Sequence, residues 1–254
     1  MIRTRVIPCL LLKNRGLVKT VAFADPKYVG DPINAVRIFN EMEVDELILL
    51  DIEASRIGRP PDFELVQDII SEAFMPIAYG GGVRSAKEAQ HLVNLGVEKV
   101  VINSGAIKNQ GLVNEISGQL GSSSTVVALD VKKDWLGRHR MYDASSGTVT
   151  DKDPFAHIRE VVADGAGEIF INDVARDGTG KGYDLNLIKM IAPTISVPLI
   201  TCGGAGTLDH FREAAEAGAS GVAAGSMFVY MGRHRAVMIN YPAQRTLEGI
   251  FKDG

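Results

Sequence analysis

Eight short apolar runs punctuate this 254-residue chain, and their recurrence limits the folds open to it. They are RVIPCLLL (5–12), ELILLD (46–51), MPIAYG (75–80), KVVINS (99–104), TVVALDV (125–131), EIFIND (168–173), VPLITCG (197–203) and GVAAGS (221–226). Each is bounded by turn residues, and that pattern predicts a buried strand. Helix-like stretches with start and stop signals lie between them. Pro32 to Glu41 follows the cap candidate Asp31, and Pro154 to Asp164 follows Asp153. Ser85 to Leu95 opens with the capping-box spacing of Ser85 and Glu88 and ends at Gly96, while Leu208 to Ala217 ends at Gly218. Strands that alternate with helices of this size call for a parallel sheet. Eight such units predict an α/β chain closed into a (β/α)8 TIM barrel. A doubly wound sheet would carry its glycine fingerprint after the first strand, and no GxGxxG follows the first run.

The two halves of the chain match each other. PIAYGGGVRSAKEAQHLVNLGVEKVVINSGAI (76–107) aligns without a gap on PLITCGGAGTLDHFREAAEAGASGVAAGSMFV (198–229), at an offset of 122. LLDIEASRIG (49–58) aligns on INDVARDGTG (171–180) at the same offset, and IPCLLLK (7–13) on VVALDVK (126–132) at 119. An internal repeat of this kind predicts two half-barrels, about 1–122 and 123–254, in one domain with no linker. The stretch 133–152 reads as a long loop after the fifth strand with a short hairpin. A lid, packed by Trp135 and Met141, and a plain surface loop both fit it.

Composition narrows the function classes. Net charge is -4, and the 27 Lys and Arg are scattered among 31 Asp and Glu, so no basic block marks a nucleic-acid partner. No run of 18 apolar residues predicts a membrane span, and MIRTRVIPCLLL lacks a signal peptide's long apolar region and cleavage site. The expected location is cytoplasmic, with Cys9 and Cys202 as reduced, buried thiols. His91, His139, His157, His210 and His234 show no ligand spacing, so no metal or other cofactor is expected, and His157 reads as a surface residue.

Glycines after the strands suggest anion binding. Gly203 and Gly204 follow the seventh run, and Gly225 and Ser226 the eighth, where barrel enzymes often hold a phosphate on backbone N–H groups. The duplication supplies a second cradle from Gly81 and Gly82 with Asn103 and Ser104. Asp177, Gly178 and Thr179, in the RDGTG loop, are placed to close over the second-half site. Tight turns before helices explain such glycines equally simply. As binding sites, two related cradles across one barrel mouth predict a small bisphosphorylated ligand.

Polar residues mark both ends of the strands. Asp130 ends the fifth, where a carboxyl group is costly to bury unless paired or used, so acid–base work or an ion pair with Lys132 or Lys19 is expected. Its twin in the first half is Leu11, which exchanges no proton and so weakens a two-carboxylate mechanism. Asp51 and its twin Asp173 are placed to orient substrate or to hold Lys19. At the opposite end Arg5, Glu46, Lys99 and Glu168 start the first, second, fourth and sixth strands. Four charges of alternating sign there make either a salt-bridged plug or a gate for a small molecule.

With these features together, the chain resembles the cyclase (synthase) subunit of imidazole glycerol phosphate synthase, of histidine biosynthesis. The resemblance covers nearly the whole chain. It rests on RVIPCL, GDP at 30–32, DELILLDI at 45–52, GGGVRS at 80–85, VEKVVINSGAIKN at 97–109, ARDGTGKGYDL at 175–185 and GGAG at 203–206. It implies a bisphosphorylated aminoimidazole carboxamide ribonucleotide across the mouth, and a glutaminase docked at the N-terminal face, with Glu98 in the contact. Ammonia would pass a gate of Arg5, Glu46, Lys99 and Glu168, climb the barrel and attack the substrate. Cys9, Lys19 and Asp51 are retained for orienting it. Of the two acid–base aspartates of that family, one maps to Asp130 and the other to Leu11, so a family member's cyclase chemistry is impaired here unless Asp173 substitutes. Four readings follow. One is an ammonia-conducting partner of another enzyme; the resemblance offers a precedent in second cyclase-like copies among surface-polysaccharide genes, where the acceptor is a nucleotide-sugar amidotransferase. The others are a true cyclase, a non-catalytic bisphosphate-binding scaffold, and a sugar-phosphate isomerase, which Leu11 also disfavours.

Overall fold

The computed structural model describes residues 4–109 and 111–251. The eight expected strands form: β1 (Arg5–Lys13), β2 (Leu47–Asp51), β3 (Ile77–Gly80), β4 (Lys99–Ile102), β5 (Thr125–Lys133), β6 (Glu168–Asp173), β7 (Leu199–Cys202) and β8 (Gly221–Ala224). All eight run parallel in sequence order. β8 pairs with β1 from Arg5↔Gly221 onward, and that pairing closes the sheet into the expected barrel.

Alternation along each strand sorts the apolar residues into two cores. Ile7, Ile48, Ala78, Phe170 and Ile200 point into the barrel and form one buried cluster. Their neighbours Val6, Leu47, Leu49, Ile169 and Leu199 point outward and pack beneath the helices in a second, larger one. The period of two fixes this division, because a one-residue slip would exchange the two sets.

The expected helices form as Pro32–Glu41, Ala86–Asn94, Pro154–Ala163 and Leu208–Glu216. Asp31, Ser85 and Asp153 accept backbone N–H groups at their starts. Phe63–Ser71 and Leu185–Ile191 are helices that the periodicity left unassigned; Asp62 and Asp184, 122 residues apart, cap them by accepting from Leu65 N and Leu187 N at 3.1 Å each. His157 corrects an expectation. It lies on the inner face of its helix with Pro154, Ile158 and Val161, 7% exposed, and burial pushes its imidazole below the usual value. Among the described residues, no helix is long and apolar enough to cross a membrane.

Each half-barrel opens with a nine-residue strand that outruns the barrel and folds back as an antiparallel ribbon. After β1 the ribbon is Gly16–Val21 and Ala24–Gly30. After β5 it is His139–Asp143 and Thr148–Val149, the hairpin expected in 133–152. The first ribbon turns twice on residues with positive φ, Asn14 and Arg15 at 49° and 62° and Ala22 and Phe23 at the same angles. Turns of this class need positive φ at both central residues, for which Asn-Gly is the usual signal. Asn-Arg and Ala-Phe give none, and the ribbon went unanticipated for that reason.

Phe170 carries much of the inner core, being a fully buried side chain in a narrow barrel. Phe170→Ala should lower unfolding free energy by about 3–5 kcal/mol, through lost transfer energy and a cavity that eight closed strands cannot collapse. Urea unfolding should show a lower midpoint with an unchanged slope; a midpoint within error of the parent would contradict this packing.

Candidate functional site

The C-terminal ends of the strands enclose a cavity of about 220 Å³. Its floor contains Cys9, Val101, Ala128, Phe170 and Cys202, and its rim contains Leu11, Asp51, Asn103, Asp130, Asn172 and Asp177. The two ribbons wall it: Lys19, Thr20 and Phe23 come from the first, Tyr142, Ala144 and Ser145 from the second. The Phe23 and Tyr142 rings meet edge to face with centroids 5.9 Å apart. Asp177, on the loop after β6, ties the first ribbon down. Its Oδ2 accepts from Thr20 Oγ1 at 2.6 Å, and its carbonyl accepts from Ala22 N at 3.0 Å. The stretch 133–152 is therefore part of the site wall. Met141 is fully buried within it, whereas Trp135 is 89% exposed at its tip and packs no lid.

Asp130 sits where its strand position demands, buried at the top of the barrel. Burial pushes its carboxyl up to about 7; Asn103 Nδ2, donating to Oδ2 at 2.8 Å, acts against the rise, and the carboxylates of Asp177 and Asp143 add to it. No ion pair with Lys132 or Lys19 forms among the described residues. Lys132 points to solvent, and Lys19 Nζ donates to the carbonyl of Cys9 at 2.6 Å. Burial drives the Lys19 ammonium below its usual value, with Cys9 and Asp177 opposing. The two thiols are free and buried, as expected. Burial raises the Cys202 thiol well above its usual value.

Asp51 and Asp173 hold arginines and loops instead of Lys19. Asp51 pairs with Arg59 Nη2 at 2.7 Å and accepts from Glu53 N and Ala54 N at 3.0 Å each. Asp173 lies 3.4 Å from Arg176 Nε and accepts from Ala175 N at 3.0 Å. Asp51 still lines the cavity; Asp173 does not, because alternation turns Asn172 inward and Asp173 away. Asp173 is thus not positioned to substitute for a first-strand carboxylate. Leu11 does line the cavity, as an apolar side chain.

The glycine cradles share one geometry. Gly81 and Gly203 have φ of 121° and 92°, and a Cβ on either would approach the carbonyl oxygen of Asp51 or Asp173 to 2.4 or 2.6 Å. Gly82 and Gly204 repeat the pattern at φ of 78° and 113°. The cavity takes in Gly81, Gly82, Asn103 and Ser104, but only Gly225 of the second cradle; Gly203, Gly204 and Ser226 do not line it. A Cβ on Gly225 would lie 2.9 Å from the Cys9 carbonyl oxygen and would displace Lys19 Nζ from its place there. Gly178 packs on the first ribbon, where a Cβ would meet the Thr20 carbonyl oxygen at 2.4 Å, and Thr179 Oγ1 donates to the Arg176 carbonyl at 2.7 Å. Asp177 lines the cavity, and its carboxylate accepts from Thr20 Oγ1 and Phe23 N.

At the other end of the barrel the four charges do form a ring. Arg5 donates to Glu46 and Glu168, and Lys99 Nζ lies 3.1 Å from a carboxylate oxygen of each. Both glutamates are buried, and the ring closes the barrel floor. Glu98 is exposed beside it. Asn172 also lines the cavity, as do Thr20, Phe23 and Tyr142, which the sequence reading did not single out. Counting by twos from Phe170 would have placed Asn172 inside.

The raised Asp130 has a consequence for stability. Its folded value of about 7 lies above the unfolded value near 3.8, so the folded state holds the extra proton between them. Stability is then lost as pH rises from about 4 through about 7. Asp130→Asn should stabilise the protein by roughly 2–4 kcal/mol at pH 8 and change little at pH 4. Paired urea titrations at the two pH values check this; equal effects at both would contradict the buried, reluctant carboxyl.

The pattern of the family described as histidine biosynthesis protein matches residues 5–235. A Pseudomonas aeruginosa protein, whose provisional name is imidazole glycerol phosphate synthase subunit hisF2, is 49% identical over 249 residues, covering 98% of this chain and 99% of the relative. A Vibrio vulnificus protein with the provisional name subunit hisF3 is 44% identical over 245 residues, covering 96% and 94%. The imidazole glycerol phosphate synthase subunit HisF of Gluconacetobacter diazotrophicus is 39% identical over 228 residues, covering 90% and 88%. With a duplicated barrel matched along nearly its whole length, the chain belongs to the histidine biosynthesis protein family.

Proposed function

We propose that this chain is an ammonia-conducting barrel that pairs with a glutaminase and delivers ammonia to a separate acceptor enzyme. The observation that carries the reading is Leu11, an apolar side chain lining the same cavity as Asp130. The charged floor, the apolar bore and the glycine cradles are what conduction and anion binding require. Proton transfer at the first strand is what the chain lacks, and a general acid or base of this kind contributes typically 10²–10⁴-fold. The glutaminase would dock on the N-terminal face, around the ring and Glu98. The acceptor is a nucleotide-sugar amidotransferase of surface-polysaccharide synthesis in this reading. A bisphosphorylated ligand at the mouth would act as a signal of occupancy. The Pseudomonas and Vibrio relatives are numbered in their names as second and third copies, which agrees with a further copy of such a subunit.

A second reading, the genuine cyclase, is favoured by Asp130, whose carboxyl near 7 suits acid–base work. Supplying the purified protein with the bisphosphorylated aminoimidazole carboxamide ribonucleotide and saturating ammonium at high pH separates the two. The unmodified chain should form imidazole glycerol phosphate only at a trace rate, and Leu11→Asp should raise that rate by about 10²–10⁴-fold. Turnover by the unmodified chain at a rate that Leu11→Asp does not improve would establish the cyclase instead.

A further inference from the structure

The hairpin that walls one side of the mouth has a far end. Tyr142 stands opposite Asp130 in its register with β5, and His139 stands opposite Lys133, three residues further on and roughly 10 Å along a strand. Residues 134–138 therefore turn beyond the rim of the cavity. One side chain fixes that turn. Asp134 Oδ1 accepts from Leu136 N at 2.9 Å and from Arg138 N at 3.0 Å, and Oδ2 accepts from Arg138 Nε at 2.8 Å. The Asp134 N–H donates to the Arg138 carbonyl at 2.9 Å, and its own carbonyl accepts from Gly137 N at the same distance.

So braced, the turn holds Trp135, 89% exposed, and Leu136, 51% exposed, out in solvent. Side chains this exposed contribute little to folding. Beside them an open groove runs between the hairpin and the helices Pro154–Ala163 and Leu185–Ile191, lined by Lys133, Arg138, Arg140, Phe155, Lys189 and Met190. It shares no lining residue with the mouth cavity. Its charges are sorted by depth. The Lys133 and Arg138 side chains are half exposed, whereas their carboxylate partners, Asp184 and Asp134, are nearly covered. Lys189 is exposed and has no ion-pair partner among the described residues. The surface turned outward is thus cationic around an apolar centre. An aromatic anchor flanked by arginine, held rigid before it meets anything, is the form that binding hot spots take.

We propose that the 134–138 turn and the groove beside it are the docking surface for the ammonia acceptor, which meets them with an apolar pocket for Trp135 rimmed by carboxylates. This rests on the conduction reading. Ammonia released into water at neutral pH is protonated and ceases to be a nucleophile, so an acceptor has to close over this end of the barrel. The turn projects past the mouth on the same hairpin that walls it, and a partner seated there also covers the cavity. The glutaminase of that reading docks at the opposite end, around Arg5, Glu46, Lys99 and Glu168, and leaves the turn free. The acidity of the partner follows from the outward cations. A second copy of this chain fits poorly, because a two-fold contact would set Lys133, Arg138 and Lys189 against themselves.

Trp135 is the single tryptophan of the chain, so fluorotryptophan incorporated into the full protein gives one fluorine resonance, and it reports this turn. The probe is the nucleotide-sugar amidotransferase of the same organism, unlabelled. Adding it should shift or broaden that resonance. Trp135→Ala should weaken the complex by at least about 30-fold, as loss of a hot spot does, and Lys189→Glu should slow its association. Both variants should keep the parent's urea midpoint and its affinity for the glutaminase, because the altered side chains are exposed and far from the ring. A complex that leaves the resonance in place and binds Trp135→Ala as tightly as the parent would overturn the docking surface while conduction stands. A resonance that moves with the chain's own concentration would give the turn to a second copy and overturn it as well. No complex at all would remove the conduction reading along with it, so the two failures are distinct.

Discussion

Closing eight parallel strands into a barrel commits every second side chain to an interior with no solvent, and the rest of this molecule follows from that commitment. Interior positions must be apolar, or paired, or used. Most are apolar: Ile7, Ile48, Val126, Phe170 and Ile200 fill the middle. The floor pairs its charges, two basic and two acidic, in one ring. A ring of this kind gives little net stability, since desolvation offsets the attraction, but removing one member strands the others at about 3–5 kcal/mol. It therefore persists as a unit or not at all. At the top, Oδ1 of Asn103 and Oδ1 of Asn172 are buried without a partner among the described residues, and there the cavity opens.

The duplication explains how that cavity is framed. Each half-barrel repeats the same devices 122 residues on: Asp51 and Asp173 turn their loops and hold Arg59 and Arg176, Gly81 and Gly203 pass beneath them, and Asp62 and Asp184 cap the next helix. These are structural uses, and they account for two aspartates that sequence position alone made candidates for chemistry. The symmetry breaks at the cavity. Leu11 faces the cavity in one half and Asp130 in the other. One wall is apolar and the other carries a carboxyl that burial makes reluctant to ionise. The ribbons differ as well, and they meet through Phe23 and Tyr142 over the mouth. Phe23 holds a positive φ of 62°, an unusual conformation for a bulky residue, beside the Asp177 carboxylate that accepts its N–H at 3.4 Å.

The amino-acid sequence by itself determined the barrel, the eight strands to within a few residues, the internal repeat and the ring of charges at its floor. It could do so because those features are periodic: burial on a parallel strand repeats every second residue, and the repeat doubles each signal. It also placed Asp130 and Leu11 as twins. Tertiary structure alone decided what lies against what. Lys19 looked like a partner for Asp51 or Asp173 and instead donates to the Cys9 carbonyl. His157 looked like a surface residue and is buried. The first ribbon was hidden because its turns use Asn-Arg and Ala-Phe at positive φ, held by contacts with a loop more than 150 residues away. Asn172 comes to stand beside Asp130 only because β6 pairs with β5. Hydrogen-bond partners of this sort are set by which strands become neighbours when the sheet closes, and a linear pattern carries no record of that.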